Sequence, residues 1–173
     1  MMSVNLSSRQ FAQANLIEQI QHTLAITGLD PANLKLEITE SMVMEDVENT
    51  IILLNQLKQL NIKISMDDFG TGFSSFSYLH RFPTDSLKID RSFVSNMSQG
   101  NKNLEIVNTI VILAHKLGMN VIAEGIETAE EKEILQNFHC EYGQGYYFAK
   151  PLSEENATQL FVNNTQWNDK IIK

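Results

Sequence analysis

Short stretches of this chain alternate apolar and polar residues with period two, and between them apolar residues recur at helical spacing. The alternation predicts strands over Ser3–Leu6, Leu34–Thr39, Ile62–Asp67, Ser86–Ile89 and Asn120–Ala123, with a weaker one near Glu141–Gly143. Helical spacing predicts one amphipathic helix carrying Val47, Ile51, Leu54 and Leu57. It predicts a second carrying Leu104, Val107, Val111, Ala114 and Leu117. Thr128-Ala-Glu-Glu131 reads as a capping box, and Gly28 and Gly118 stand where a helix C-terminal glycine belongs. Asp30-Pro31-Ala32-Asn33 reads as a turn. Repeated strand–helix units predict an α/β fold on a parallel sheet, either open and doubly wound or closed into a barrel.

The phase of the alternation separates those two forms. One phase holds Val4 and Leu6; Leu34, Leu36 and Ile38; Ile62, Ile64 and Met66; Leu87 and Ile89; Val121 and Ala123. The other holds Asn5; Lys35, Glu37 and Thr39; Lys63, Ser65 and Asp67; Ser86 and Lys88; Asn120 and Glu124. A doubly wound sheet is covered by helices on both faces, so its strands read almost continuously apolar. Strands with one apolar phase and one polar phase suit a (β/α) barrel, with helices outside and polar groups at the C-terminal mouth.

Composition narrows the function classes. Of 173 residues, 43% are hydrophobic and 20% charged, as in a globular domain with a real core. The net charge of −8 argues against binding a nucleic-acid polymer or an anionic membrane through broad electrostatics. The longest apolar run, Thr109–Ala114, is far short of the ~20 residues that span a bilayer. One cysteine, Cys140, leaves no intramolecular disulfide and fits a reducing compartment. No signal peptide is visible at Met1–Asn5, and a soluble, cytoplasmic chain is expected.

Asn5, Glu37, Asp67, Asp68 and Glu124 are oxygen donors at or near strand C-terminal ends. Hard cations such as Mg²⁺ or Mn²⁺ take such ligands, and the four histidines show no ligand-like spacing. Asp67 and Asp68 reach two ions, or bridge them, if the strand end twists to splay them. Two such ions are a known device for phosphodiester hydrolysis. Lys88 shares the polar phase, where it can assist an attacking water or pair with a carboxylate. The bland alternatives are a structural Lys88–Asp90 ion pair, a glycine turn after Asp68 with Ser74 or Ser75 as a helix cap, and an ordinary turn at Gly143-Gln-Gly145.

Six motifs together are more specific: Val4-Asn-Leu-Ser7, Leu36-Glu-Ile-Thr-Glu40, Asp67-Asp-Phe-Gly-Thr-Gly72, Leu87-Lys-Ile-Asp-Arg-Ser-Phe93, Ala123-Glu-Gly-Ile-Glu127 and Gly143-Gln-Gly-Tyr-Tyr147. In order and context they resemble the EAL-domain family. That family hydrolyses the bacterial second messenger cyclic-di-GMP to linear pGpG with Mg²⁺ or Mn²⁺ on a TIM-like barrel. The resemblance implies that Asn5, Glu37, Asp67, Asp68 and Glu124 are metal ligands or near-ligands and that Lys88 acts on the attacking water. It also implies that Glu40 holds the loop around Phe69–Ser75, and that Asp90, Gln144 and Glu127 line the site or bind substrate.

No segment corresponds to the family's Glu-Ala-Leu stretch, and Glu133-Ile-Leu135 falls inside a predicted helix. The resemblance therefore implies an incomplete barrel with about six of the eight strands, the family's third to eighth, and one metal-ligand glutamate missing. Residues 1–155 would form the partial EAL domain, and 156–173 a C-terminal helix and polar tail. A homodimer closing the barrel is an expectation, as is fusion to sensory or GGDEF-type domains in a full-length relative. The functional alternatives are a non-catalytic module that binds cyclic-di-GMP or docks a partner, and an inactive fragment.

Overall fold

The computed structural model of the protein describes residues 1–71, 76–95, 97 and 101–162. Gly72, the cap candidates Ser74 and Ser75, and the polar stretch from Asn163 lie outside the described residues. The chain divides into two compact units, Met1–Lys88 with Leu117–Met119, and Ile89–Lys116 with the residues from Asn120 onward.

In the first unit, strands β1 (Met2–Asn5), β2 (Leu34–Thr39), β3 (Lys63–Phe69) and the first three residues of β4 (Ser86–Ile89) lie side by side in chain order. β1 pairs parallel with β2, and β2 with β3. Parallel neighbours need a crossover, and helices supply it. Helices α1 (Ser8–Phe11) and α2 (Leu16–Thr27) lie between β1 and β2, α3 (Glu40–Glu45) and α4 (Val47–Gln59) between β2 and β3, and α5 (Phe76–Leu79) between β3 and β4. The turn at Asp30 is a single 3-10 turn, Pro31–Asn33, whose first free N–H, from Ala32, is taken by the Asp30 carboxylate at 2.9 Å.

The apolar strand phase forms the core: Ile38, Ile64 and Leu87 are 0% exposed, as are Leu54 and Leu57 on α4. Each such side chain contributes about 1.5–3 kcal/mol by leaving water. The polar phase is buried too, at Glu37, Ser65, Asp67, Ser86 and Lys88. Val4 departs from expectation. It belongs to the apolar phase yet is 41% exposed, and all four residues of β1 are exposed. Among the described residues β1 has one strand neighbour, β2, so its apolar side chains meet less cover than those of β2 and β3.

In the second unit, α6 (Arg91–Val94) and α7 (Asn101–Lys116) precede β5 (Asn120–Ala123), followed by α8 (Ala129–Asn137), β6 (Tyr142–Gly143) and α9 (Glu154–Val162). β5 and β6 pair parallel, Ala123 opposite Gly143. Val107, Val111 and Ala114 on α7 and Val121 and Ala123 on β5 are 0% exposed, the face their spacing predicts. The capping box of α8 is present. Thr128 Oγ1 accepts the Glu131 N–H at 3.1 Å, and the Glu131 carboxylate accepts the N–H groups of Thr128 and Glu127 at 3.0 and 2.8 Å. Glu133-Ile-Leu135 lies inside α8, with Leu135 fully buried. No helix among the described residues is long and apolar enough to cross a membrane.

Candidate functional site

Parallel register sets the first group of polar side chains. It aligns Asn5 with Glu37, Glu37 with Ser65, and Thr39 with Asp67, so the polar residues of successive strands stack in rows. Lys88, on the neighbouring strand β4, reaches across both rows. Its Nζ donates to Glu37 Oε2 at 2.7 Å and lies 3.0 Å from Asp67 Oδ1. All three residues are buried, Glu37 at 7%, Asp67 at 9% and Lys88 at 4% exposure. At that depth each charge needs a partner, because water no longer screens or solvates it. Two residues earlier on the same strands, Ser86 Oγ donates to Ser65 Oγ at 2.9 Å, tying β4 to β3 below the ion pairs. In the second unit the Asp90 carboxylate caps α6, accepting the Ser92 N–H at 2.9 Å and the Ser92 hydroxyl.

The backbone at the end of β3 brings the carboxylates of the adjacent aspartates together. Asp68 has φ 53°, a left-handed conformation that breaks the period-two alternation of β3 at its end. A carboxylate oxygen of Asp68 consequently lies within 4.8 Å of one of Asp67, where a regular strand would point them to opposite faces. The turn that follows is held from two sides. Thr71 Oγ1 donates to the Asp68 carbonyl at 2.8 Å, and the Gly70 N–H donates to Glu40 Oε2 at 3.0 Å. Glu40 is 4% exposed at the start of α3, so this contact joins the end of β2 to the end of β3. Asn5, at the C-terminal end of β1, is exposed.

The second unit carries its own group. Glu124 follows β5 directly, and its Oε1 accepts Gln144 Nε2 at 2.9 Å. The backbone fixes both residues: Gln144 N–H donates to the Ala123 carbonyl at 2.9 Å, and Ile126 N–H donates to the Gln144 carbonyl at 3.1 Å. This approach requires glycine at 145, where a Cβ would stand 2.1 Å from the Ile126 carbonyl oxygen. Gly143-Gln-Gly145 is therefore more than an ordinary turn. Glu127 pairs with Arg91 at 2.8 Å, and the Arg91 stem crosses Gly125 so closely that a Cβ there would meet its Cγ at 2.3 Å. Sequence reasoning missed Arg91; its signal is a cation directly after Leu87-Lys-Ile-Asp90, paired with a glycine next to Glu124. A cavity of about 330 Å³ is lined by Arg91, Glu124, Glu127, Gln144, Tyr146 and Lys150 among others.

Electrostatics outside these groups are structural. Burial pushes the Asp85 carboxyl up, but the Lys58 hydrogen bonds, the Ile64 N–H and the charges of Lys58 and Lys63 outweigh it and hold it below its ordinary value. Burial lowers Lys35, opposed by the charges of Glu37 and Asp85. Burial also pushes the Cys140 thiol up to about 12, so it is not a nucleophile. His115 Nε2 lies 2.9 Å from Glu141 Oε1.

Carboxylates gathered at the C-terminal ends of parallel strands, with a buried ammonium between two of them, define a β/α domain with an acidic centre suited to hard cations. The chain belongs to the EAL domain family, whose model matches residues 1–151. It is 41% identical over 150 residues to the cyclic di-GMP phosphodiesterase NbdA of Pseudomonas aeruginosa, an alignment covering 87% of this chain and 19% of that protein. The chain thus spans about a fifth of the length of the curated relatives it matches. Among solved structures it resembles the PaMucR phosphodiesterase in complex with c-di-GMP, with a TM-score of 0.87 and 39% identity over 90% of this chain and 63% of that one. A manganese and cyclic-di-GMP complex of Klebsiella pneumoniae BlrP1 gives a TM-score of 0.79 and 31% identity over 86% of this chain and 38% of that one. The fold class is accordingly α/β, the TIM-like (β/α) barrel of EAL domains, of which the described residues supply six strands.

Proposed function

We propose that this chain takes part in the metal-dependent hydrolysis of cyclic-di-GMP to linear pGpG. The observation that carries the reading is the buried pair Glu37 and Asp67, held by Lys88 at 2.7 and 3.0 Å at neighbouring strand ends. A solvent-facing acid needs no such arrangement, and two buried carboxylates sharing one ammonium are poised for a cation of higher charge.

The donor set fits a hard divalent cation, Mg²⁺ or Mn²⁺: every candidate atom is an oxygen, and the described side chains bring no histidine or thiolate to Glu37 or Asp67. Glu37, Asp67 and Asp68 would hold it, and the family pattern gives Asn5 and Glu124 the same role. When bound, such ions would supply Lewis-acid stabilisation of the phosphoryl oxygens and an activated water. The chain's own residues do the positioning. Lys88 holds a proton at Nζ beside the carboxylates and is the group to orient the attacking water. Glu40, through Gly70, fixes the turn after Asp68, and Gln144 fixes the Glu124 carboxylate. Glu127 and Asp90 act less directly, Glu127 by holding Arg91 and Asp90 by capping α6.

The test is a product assay with purified chain, cyclic-di-GMP and Mn²⁺, in which pGpG should form. Glu37→Ala and Asp67→Ala should each abolish it, and turnover that survives either change would refute the assigned site. Binding without turnover, unaffected by chelator, would instead make the chain a receptor module.

A further inference from the structure

We propose that Lys88 is the resident counter-ion of the Glu37–Asp67 pair, a positioning residue that keeps the two carboxylates together without a metal and that an incoming divalent cation must displace. This rests on the metal-site reading above and adds to it a competitor built into the chain.

Three observations carry it. First, one ammonium serves both carboxylates, at 2.7 Å from Glu37 Oε2 and 3.0 Å from Asp67 Oδ1, so it occupies the position from which a cation would contact both. Second, Lys88 makes the close ion pairs to both carboxylates, while the charge of Lys35 also acts on Glu37 and the Asp68 N–H donates to Asp67 Oδ1 at 3.0 Å. Third, the layer below offers no relief, because the buried hydroxyls of Ser65 and Ser86 bond to each other at 2.9 Å.

Buried like charges repel strongly without a counter-charge, so Lys88 makes the acidic strand ends compatible with a folded chain. The same placement sets it against a divalent ion, because a cation held by those two oxygens would stand beside the ammonium and repel it. An ion taking those oxygens moves the ammonium off them, which weakens affinity and turns Nζ, still beside the carboxylates, toward a bound water.

Two measurements test this. Mn²⁺ affinity is measured by calorimetry on the wild type and Lys88→Met. In parallel, acetylation of Lys88 in the wild type is followed by mass spectrometry with and without Mn²⁺, with the exposed Lys102 as internal reference. We expect Lys88→Met to bind Mn²⁺ about tenfold more tightly, the loss of a competitor worth ~1.4 kcal/mol. Lys88 should be protected without metal and labelled several-fold faster with it. Equal or weaker Mn²⁺ binding by the variant would overturn the inference, since a residue that merely supports the fold or assists the metal gives that result. Unchanged Lys88 labelling at saturating Mn²⁺ would overturn it too, leaving the metal site intact, and decides the matter if Lys88→Met does not fold. Absence of Mn²⁺ binding by both proteins would overturn the metal site and this inference together.

Discussion

Replacing Gly145 by alanine adds one methyl group at a point where the chain leaves no room for it. The new Cβ would stand 2.1 Å from the Ile126 carbonyl oxygen and 2.3 Å from its nitrogen, both backbone atoms that cannot swing aside. The strand end and the Glu124–Glu127 loop must separate. The bonds at risk are Ile126 N–H to the Gln144 carbonyl, at 3.1 Å, and Tyr147 N–H to the Ile126 carbonyl, at 3.0 Å. Overpacking of this kind costs about 1–3 kcal/mol. Weakening two backbone hydrogen bonds adds about 1 kcal/mol each, which puts the total at roughly 3–5 kcal/mol. Gly118→Ala is the matched control. That position has φ +76° but nothing within 4 Å of a Cβ, so it carries only the left-handed penalty of about 1 kcal/mol. Urea denaturation of both variants should give a much lower midpoint for Gly145→Ala with an unchanged slope. If Gly145→Ala is no less stable than Gly118→Ala, the close approach of residues 126 and 145 is not the constraint described here.

Two of the shifted titrations, those of Asp85 and Cys140, give further expectations. Asp85 is held below its ordinary pKa of 3.8, so its ion pairs stabilise the fold fully above that value, and this is lost as pH falls through the depressed folded pKa. Asp85→Asn should therefore be destabilised near neutral pH and converge on the wild type in acid; a stability gap that does not vary with pH would contradict this. Cys140, pushed up to about 12 and buried, should resist thiol reagents at pH 8 in the native protein and react fully in urea, and rapid native labelling would show that the site opens.

Strands and helix ends were legible in the sequence because they are local. β2 and β4 have the bounds their alternation predicts, and α8 begins with the capping box read from Thr128 and Glu131. Period and cap chemistry act over two to four residues, so no distant part of the chain is needed to decide them. The candidate site residues were legible for a related reason, since a polar residue in the opposite phase to a core strand must face something other than the hydrophobic side. What faces it is another matter. That Lys88 joins Glu37 and Asp67 depends on which strands neighbour each other and in what register, and 51 residues separate Lys88 from Glu37. The left-handed turn at Asp68, the Arg91 stem across Gly125 and the contact that forbids a side chain at Gly145 likewise arise between segments distant in sequence, or from the loop they enclose. The exposure of Val4 belongs with them: alternation assigns a residue to a face, but only the neighbouring elements decide whether that face is covered.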